Sequence, residues 1–427
     1  MKYPTKLNLS MTKICFSLFA TMCCSSVMAA PVENFGENLA SLRNAFNQQK
    51  VHIVQFGDSH TAGDYLTEQL RKRLQSDVGV GGIGFAYPAK VSGQRNARHD
   101  YRSNGWTVNN SRFNRNGDYA LGGITATADV DGASVTLTSQ NYNNQYQDAR
   151  ILVQGDAGQQ LKIKDNQGER QITLSRSGWQ TLPSSMTLPV TVTANKGMSL
   201  GGFWLGANKG GTVSAIGING ATQDYWQRWR SGLSQDIAAS QADMVILAYG
   251  TNEAFQAQVD SQLIAVQQAI SQVRQALPNA AILVVNAPES LQSTSGSCGT
   301  RSPSLDTVQS QLRRLAQQNR TLYWSWQDAM GGACSMNNWV AKGLAAKDGV
   351  HFSRSGYEQL ANDLYDNFKI TLNSNSLMPS NSLPPSLGNP NRNTSSGPAP
   401  SASPNYTSPM NQGSGKICDD EGRCVSL

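Results

Sequence analysis

Val51-His52-Ile53-Val54-Gln55-Phe56-Gly57-Asp58-Ser59-His60 runs from a short apolar segment straight into a turn that carries a carboxyl, a hydroxyl and an imidazole. Val51 to Phe56 reads as a buried strand closed by Gly57. Beyond the turn, Leu66, Leu70 and Leu74 recur every fourth residue, the stripe of a helix with one buried face. Gly57 to His60 therefore joins a strand to a helix. In an open α/β sheet that junction lies at the carboxyl edge, where ligands bind. The helix start adds free backbone N–H groups and the positive end of a dipole. A serine there is placed to attack while an oxyanion forms beside it. Asp58 and Ser59 are also both good helix caps, and Gly-Asp-Ser alone favours that plainer reading. Thr61 stands where a Gly-x-Ser-x-Gly elbow needs its second glycine, which disfavours the ordinary α/β-hydrolase fold.

Outward from this stretch, strand–helix alternation resumes at Thr212. Val213–Ile216, Met244–Tyr249, Ile282–Val285 and Leu322–Trp326 read as strands. Val259, Leu263, Val266, Ile270, Val273 and Leu277 mark a helix closed by Pro278; Leu305, Val308, Leu312 and Leu315 mark another, and Tyr357, Leu360, Leu364 and Phe368 a last one. Repeated βα units imply a three-layer α/β domain, a parallel sheet with helices on both faces. Between the two parts lie alternating segments at Ile124–Val130, Ser134–Thr138, Ile151–Gln154, Leu161–Lys164, Gln171–Leu174 and Val190–Thr193, separated by Gly, Asn and Asp. That texture predicts an inserted all-β sandwich or jelly roll. The expected organisation is a signal peptide over 1–29, the α/β domain over 30–93 and 206–372, the β module over 94–205, and a Ser/Pro/Asn-rich tail over 373–427 that lacks the apolar spacing to fold.

Lys2, Lys6 and Lys13 precede the apolar run Ile14–Met22, and Val27-Met28-Ala29 fits a cleavage site. The reading is an exported, periplasmic or envelope protein; the run is too short to span a membrane and no later segment approaches a span. Removing the signal leaves Cys298, Cys334, Cys418 and Cys424, an even set that implies disulfides. Cys298–Cys334 with Cys418–Cys424 is one of three connectivities. The chain carries a net charge of +6 with only 15% charged residues. That suits an anionic polymer such as cell wall, and without a basic run interleaved with aromatics it argues against nucleic acid. No His/Cys spacing resembles a metal site.

Three further motifs fall at strand ends or before a helix. Gly217-Ile218-Asn219-Gly220-Ala221 follows one strand, and a glycine there lets backbone N–H approach a substrate without a Cβ in the way. Gly250-Thr251-Asn252-Glu253 ends the strongest strand, where the Asn252 amide can reach a substrate oxygen. Asp348-Gly349-Val350-His351 precedes the last helix. His351 is a natural general base, and Asp348 within one turn can fix its tautomer. Each motif alone has a plainer reading as a turn, a loop or a surface pair. Among the other histidines, His52 lies inside a strand, His60 adjoins Ser59 and is expected to point elsewhere, and His99 lies near the module's start. A serine, two oxyanion donors and an Asp–His pair in one consistent order outweigh the separate plainer readings.

Gly57-Asp58-Ser59, Gly220, Gly250-x-Asn252 and Asp348-x-x-His351 resemble the four sequence blocks of the SGNH/GDSL hydrolases. The resemblance implies a flavodoxin-like fold and a serine esterase with Ser59 as nucleophile. It implies Ser59, Gly220 and Asn252 as oxyanion donors, Asp348 and His351 as partners, and no metal or organic cofactor. Gly217 is an alternative to Gly220, and Glu253 departs from the Asp of many members. The start Gly57 to Asp64 and the stretch Gly81 to Phe85 are similar to peptidoglycan O-acetylesterases, which carry a carbohydrate-binding-like β insertion. That likeness implies removal of acetyl from the 6-hydroxyl of N-acetylmuramic acid. Trp106, Trp179 and Trp204 are candidate sugar-stacking residues, with core tryptophans as the plainer reading. Rival readings are an acetyltransferase using the same triad, an esterase or lipase of another acylated substrate, and a non-catalytic wall-binding protein.

Overall fold

The computed structural model describes residues 30–230 and 232–374, and the backbone of 416–418 and 424–426. The expected signal peptide, most of the expected tail and any Cys418–Cys424 bond lie outside the described residues. The central sheet has six strands: β1 (Val32–Asn34), β2 (Lys50–Gly57), β3 (Gly210–Gly217), β4 (Met244–Ala248), β5 (Ala281–Val285) and β6 (Leu322–Trp324), in the order β1-β6-β5-β4-β2-β3. All neighbours are parallel except β1, which pairs antiparallel with β6. Side chains of β2 alternate between two layers. Val51 and Ile53 face Leu66, Leu70, Leu74 and Tyr357, while Val54 and Phe56 face the layer that holds Val266, Val273 and Leu312. A strand buried on both faces has no polar side, which is why it reads as a continuous apolar run.

The central sheet differs from the sequence reading in its edge strand and in where its last strand ends. The edge strand β1 is too short to show a period and was not expected. The last strand stops at Trp324 rather than Trp326, because Ser325 caps the helix Trp326–Ala329 by accepting the Asp328 N–H at 3.2 Å.

The β-rich segment forms two antiparallel sheets. One holds Gly168–Thr173, Gln160–Asp165, Val190–Ala194, Ala133–Thr138 and Asp100–Asn104; the other holds Gly178–Thr187, Tyr146–Gly155, Ser199–Gly206, Ile124–Ala128 and Trp106–Asn110, with Gly84–Ala86 paired to Ser199–Gly206. Val135, Leu137, Ile151, Val153, Ile163, Val192 and Phe203 fill the space between them. The outer side of the second sheet shares a core with the α/β domain: Leu152, Trp179, Trp204 and Ile124 pack with Val54, Phe56, Ile216 and Val245.

This shared core decides between the two readings of Trp179 and Trp204 in favour of the plainer one, core tryptophans. Trp204 is 2% and Trp179 7% exposed. The Trp204 Nε1–H donates to the Asp236 carbonyl at 3.1 Å, and its ring meets Phe85 edge-on at 4.8 Å. Trp179 donates to Asp118 at 2.9 Å, and Trp106 packs partly buried against the module core. Trp179 and Trp204 join the two parts and offer no face to a sugar.

A buried ion cluster makes a second joint. The Asp64 carboxylate accepts from the Thr67 hydroxyl at 2.5 Å, from Arg71 at 3.1 Å and from the Ala97 N–H at 3.1 Å, with Arg98 at 3.8 Å. Arg71 and Arg98 both donate to the Val213 carbonyl of β3. Burial alone would raise the Asp64 carboxyl, but Arg71, Arg98 and Arg95 outweigh it and hold it well below the usual carboxylate range. Its contribution to stability is therefore present above the unfolded value near pH 4 and is lost as pH falls toward the depressed folded value. Asp64→Asn should cost about 3–5 kcal/mol in denaturant unfolding at pH 7, and its stability should fall less steeply below about pH 4 than that of the wild type. A loss below about 1 kcal/mol would mean that the cluster is not the joint described.

Candidate active site

The register of the sheet puts Gly57 of β2 opposite Gly217 of β3 on one side and Ala248 of β4 on the other. The chain segments that follow these three residues therefore leave the sheet at one level. They carry Ser59, Gly220 and Asn252 respectively.

Ser59 opens the short helix Ser59–Ala62, whose cap is Asp58. The Asp58 side chain accepts the His60 N–H at 3.0 Å, so the capping role falls to Asp58 and the Ser59 hydroxyl is spare. Burial pushes the Asp58 carboxyl up to about 6, against the His60 N–H and the nearby His351, which lower it. The Ser59 Oγ lies 2.9 Å from His351 Nε2, and His351 Nδ1 lies 2.7 Å from Asp348 Oδ2. The other Asp348 oxygen accepts the backbone N–H groups of Val350 at 2.9 Å and His351 at 3.0 Å. One oxygen thus clamps the loop and the other orients the ring. Partial burial works to raise the Asp348 carboxyl, but these bonds and the His351 ring hold it well below its usual range.

His60 points beneath the His351 ring. The two ring centroids are 5.2 Å apart, with Trp326, Phe352 and Tyr357 around His60 at 5.1, 5.7 and 5.9 Å. His60 Nδ1 pairs with the Tyr357 hydroxyl at 2.8 Å. Burial, then the nearby His351, push the His60 imidazole well below its usual value, so it stays neutral beside the relay.

The two candidate glycines separate clearly. A Cβ on Gly217 would lie 2.3 Å from the Ala62 nitrogen and 2.7 Å from the Asp58 carbonyl, so the serine helix rests directly on this residue. The Gly217 carbonyl also accepts the Tyr87 hydroxyl at 3.0 Å and the Gln94 amide at 2.6 Å. Gly217 is a packing residue. Gly220 instead sits in the loop with φ +74°, and the nearest atom to a Cβ there is 3.6 Å away, on Arg112. The Asn252 amide donates one N–H to the Ala221 carbonyl at 2.9 Å, which draws it to the glycine loop and leaves its second N–H. Glu253, buried, accepts the Gly250 N–H at 3.0 Å and the Gln223 N–H at 2.9 Å, bracing the same two segments. Burial pushes its carboxyl up to about 8, against the Gln223 N–H and its own backbone N–H, which lower it. A hydroxyl, an imidazole and a carboxylate in hydrogen-bonded series, with backbone and amide donors nearby, can perform acyl transfer.

The sequence marks Asp58 as a possible cap but gives no supporting role to Glu253 or to His60, which was expected to point elsewhere and instead lies with its ring centroid 5.2 Å from that of His351. Glu253 stands three residues after the N-cap Gly250 and supplies the carboxyl half of a capping box, the half that glycine's lack of a side chain leaves alone; that spacing could have revealed the brace.

Residues 81–191 match the family model described as peptidoglycan O-acetylesterase, N-terminal, and residues 191–359 match the GDSL-like lipase/acylhydrolase family. A solved peptidoglycan O-acetylesterase is 41% identical, covers 80% of this chain and 99% of its own, and superposes with a TM-score of 0.75. The lipase/acylhydrolase from Enterococcus faecalis is 10% identical over 75% of this chain and 96% of its own, with a TM-score of 0.35. A family two carbohydrate esterase from Cellvibrio japonicus is 11% identical over 64% of this chain and 98% of its own, with a TM-score of 0.29. No curated protein matches the chain.

The two glycines should respond differently to an added methyl. Gly217→Ala must push the serine helix away and should cost about 1–3 kcal/mol together with most of any esterase activity. Gly220→Ala has room and pays only for its left-handed backbone, about 1–2 kcal/mol. Thermal unfolding and circular dichroism of both variants check this; a Gly217→Ala protein as active as wild type would mean the helix does not rest there.

Proposed function

From the premise that the chain belongs to the peptidoglycan O-acetylesterase family, and is an esterase, we propose that Ser59, His351 and Asp348 form its catalytic triad and that its substrate is acetylated cell-wall glycan. The observation that carries the reading is the relay itself, Ser59 Oγ to His351 Nε2 at 2.9 Å and His351 Nδ1 to Asp348 at 2.7 Å. In the first step His351 takes the Ser59 proton as Oγ bonds to the acetyl carbonyl carbon. The carbonyl oxygen becomes an oxyanion that leans on the Ser59 and Gly220 N–H groups and the spare N–H of Asn252. Collapse breaks the bond to the sugar oxygen, which His351 protonates, and an acetyl-serine remains. His351 then deprotonates water, a second oxyanion forms and collapses, and acetate leaves with Ser59 restored.

The family and the mildly basic chain, net charge +6, support an acetylated muramoyl residue as substrate. The amino-terminal stretch supports export to the cell envelope, in keeping with that substrate. Among the described residues no helix is long and apolar enough to cross a membrane.

Acetate release from O-acetylated peptidoglycan, with chemically de-esterified peptidoglycan as control, tests the reading. Ser59→Ala should lower kcat by about 10⁴ or more, and Asn252→Ala by about 10²–10³. Equal release by wild type and Ser59→Ala would end the triad proposal. Release confined to other acetylated polymers would end the wall assignment alone.

A further inference from the structure

Among the segments by which the inserted module meets the proposed oxyanion loop is Asn110 to Gly117. This segment is built rather than slack. The Ser111 N–H donates to the Gly123 carbonyl at 2.8 Å, and the Phe113 and Asn114 N–H groups both donate to the Asn110 carbonyl at 3.0 Å. The Asn110 side chain accepts the Arg112 N–H at 2.8 Å, and the Tyr119 hydroxyl donates to the Asn114 carbonyl at 2.7 Å. From the other side, Arg228 stacks on Tyr225 at 3.5 Å and donates to the Ser111 carbonyl at 2.9 Å.

What the segment holds in place is Arg112. Its guanidinium lies along Gly220: Nη2, Cζ and Nε are 3.6, 3.7 and 3.8 Å from the position a Gly220 Cβ would take. Among the described residues no carboxylate pairs with this guanidinium; its ring contact is with Phe113, at 5.3 Å. Phe113 is 79% exposed, a large apolar ring left open beside the charge. An arginine half-buried at the rim of an ester-cleaving site, without an acidic partner, has its fork of donors available to a substrate anion.

We propose that Arg112 is a specificity-determining residue that binds a carboxylate of the substrate, with Phe113 covering the adjacent sugar or peptide surface. The proposal rests on the function proposed above and narrows it to acetyl esters on anionic glycans. In peptidoglycan two sources carry that chemistry: the lactyl carboxyl of a peptide-free muramoyl residue, and a carboxylate of the stem peptide.

Steady-state kinetics of wild type, Arg112→Ala and Arg112→Lys test it on 4-nitrophenyl acetate, on O-acetylated peptidoglycan, and on the same peptidoglycan with its carboxylates converted to amides. Arg112→Ala should raise KM for the unmodified wall about tenfold, the scale of one charge-assisted hydrogen bond at a partly exposed site. It should change turnover of nitrophenyl acetate and of the amidated wall by less than about twofold. Arg112→Lys should recover part of the loss, and the difference should shrink as salt is raised. On amidase-stripped strands, where every muramoyl residue carries a freed lactyl carboxyl, an effect larger than on the intact wall identifies that carboxyl, and a smaller or absent effect identifies the stem peptide; either supports the proposal. An equal loss on nitrophenyl acetate, or no loss on any substrate, overturns it. A wild type inactive on both esters refutes the triad; a wild type active on nitrophenyl acetate but not on the wall refutes the substrate class, and the role of Arg112 with it.

Discussion

One row of the parallel sheet governs the site. Gly57, Gly217 and Ala248 lie side by side in register, so the residues two, three and four positions further on emerge at one rim. Parallel strands joined by crossover helices cannot slip by one residue without turning both buried faces inside out. Here that would throw Val54 and Phe56 into the layer of Leu66 and Leu74. The apolar core thus fixes the spacing of the polar groups. Glu253 then finishes locally what the register sets globally, because its two oxygens tie the Gly250 and Gln223 backbones together at 3.0 and 2.9 Å. A carboxyl is suited to this because it offers two acceptors on one rigid group.

The other half of the site comes from the far end of the chain and is held by different means. His351 reaches Ser59 across 292 residues of sequence. Its loop is clamped by the Asp348 carboxylate and hung from Leu291, whose N–H donates to the Gly349 carbonyl at 2.9 Å. The segment running on from Leu291 is closed by the Cys298–Cys334 disulfide, and Cys334 in turn donates its N–H to buried Glu289 at 3.1 Å. Underneath, the His60, Trp326, Phe352 and Tyr357 rings leave the imidazole a wall to lie on. A neutral His60 matters in this position, since a second imidazolium 5.2 Å away would oppose any positive charge forming on His351.

The α/β architecture was legible because its strands are buried on both faces and its helices on one, so that continuous runs and four-residue stripes both stand out in the sequence. Ser59, Asn252, Asp348 and His351 were legible because each ends a strand or precedes a helix. Their supports were not. Asp58 looks like half of an ambiguous cap until His60 is seen to donate to it, and Glu253 looks like an ordinary first-turn acid. Gly217 and Gly220 are interchangeable as letters and differ in backbone conformation and in what lies 2.3 or 3.6 Å from the place a Cβ would take. The tryptophans were ambiguous for a related reason. In an alternating β segment a large aromatic marks a face, but the sequence does not say whether that face meets water or a second domain.

That second domain is docked on the hydrolase sheet, and the docking fixes where its loops lie relative to Ser59. A module tethered by two linkers would raise the local concentration of glycan without choosing its orientation. This one shares a core with the hydrolase sheet through Trp179, Trp204 and Phe85, and shares the Asp64 cluster through Ala97 and Arg98. Its placement is as rigid as the core that sets it, because close-packed interiors do not slide by fractions of a side chain. The strand pair Trp106–Asn110 with Ile124–Ala128 belongs to the sheet that makes this contact, and the segment bearing Arg112 is the loop between those strands. The guanidinium beside Gly220 is therefore positioned by the same apolar surface that aligns the three strand ends. A substrate group meeting it would be held at a fixed offset from the Ser59 hydroxyl, so orientation is imposed before any bond is made.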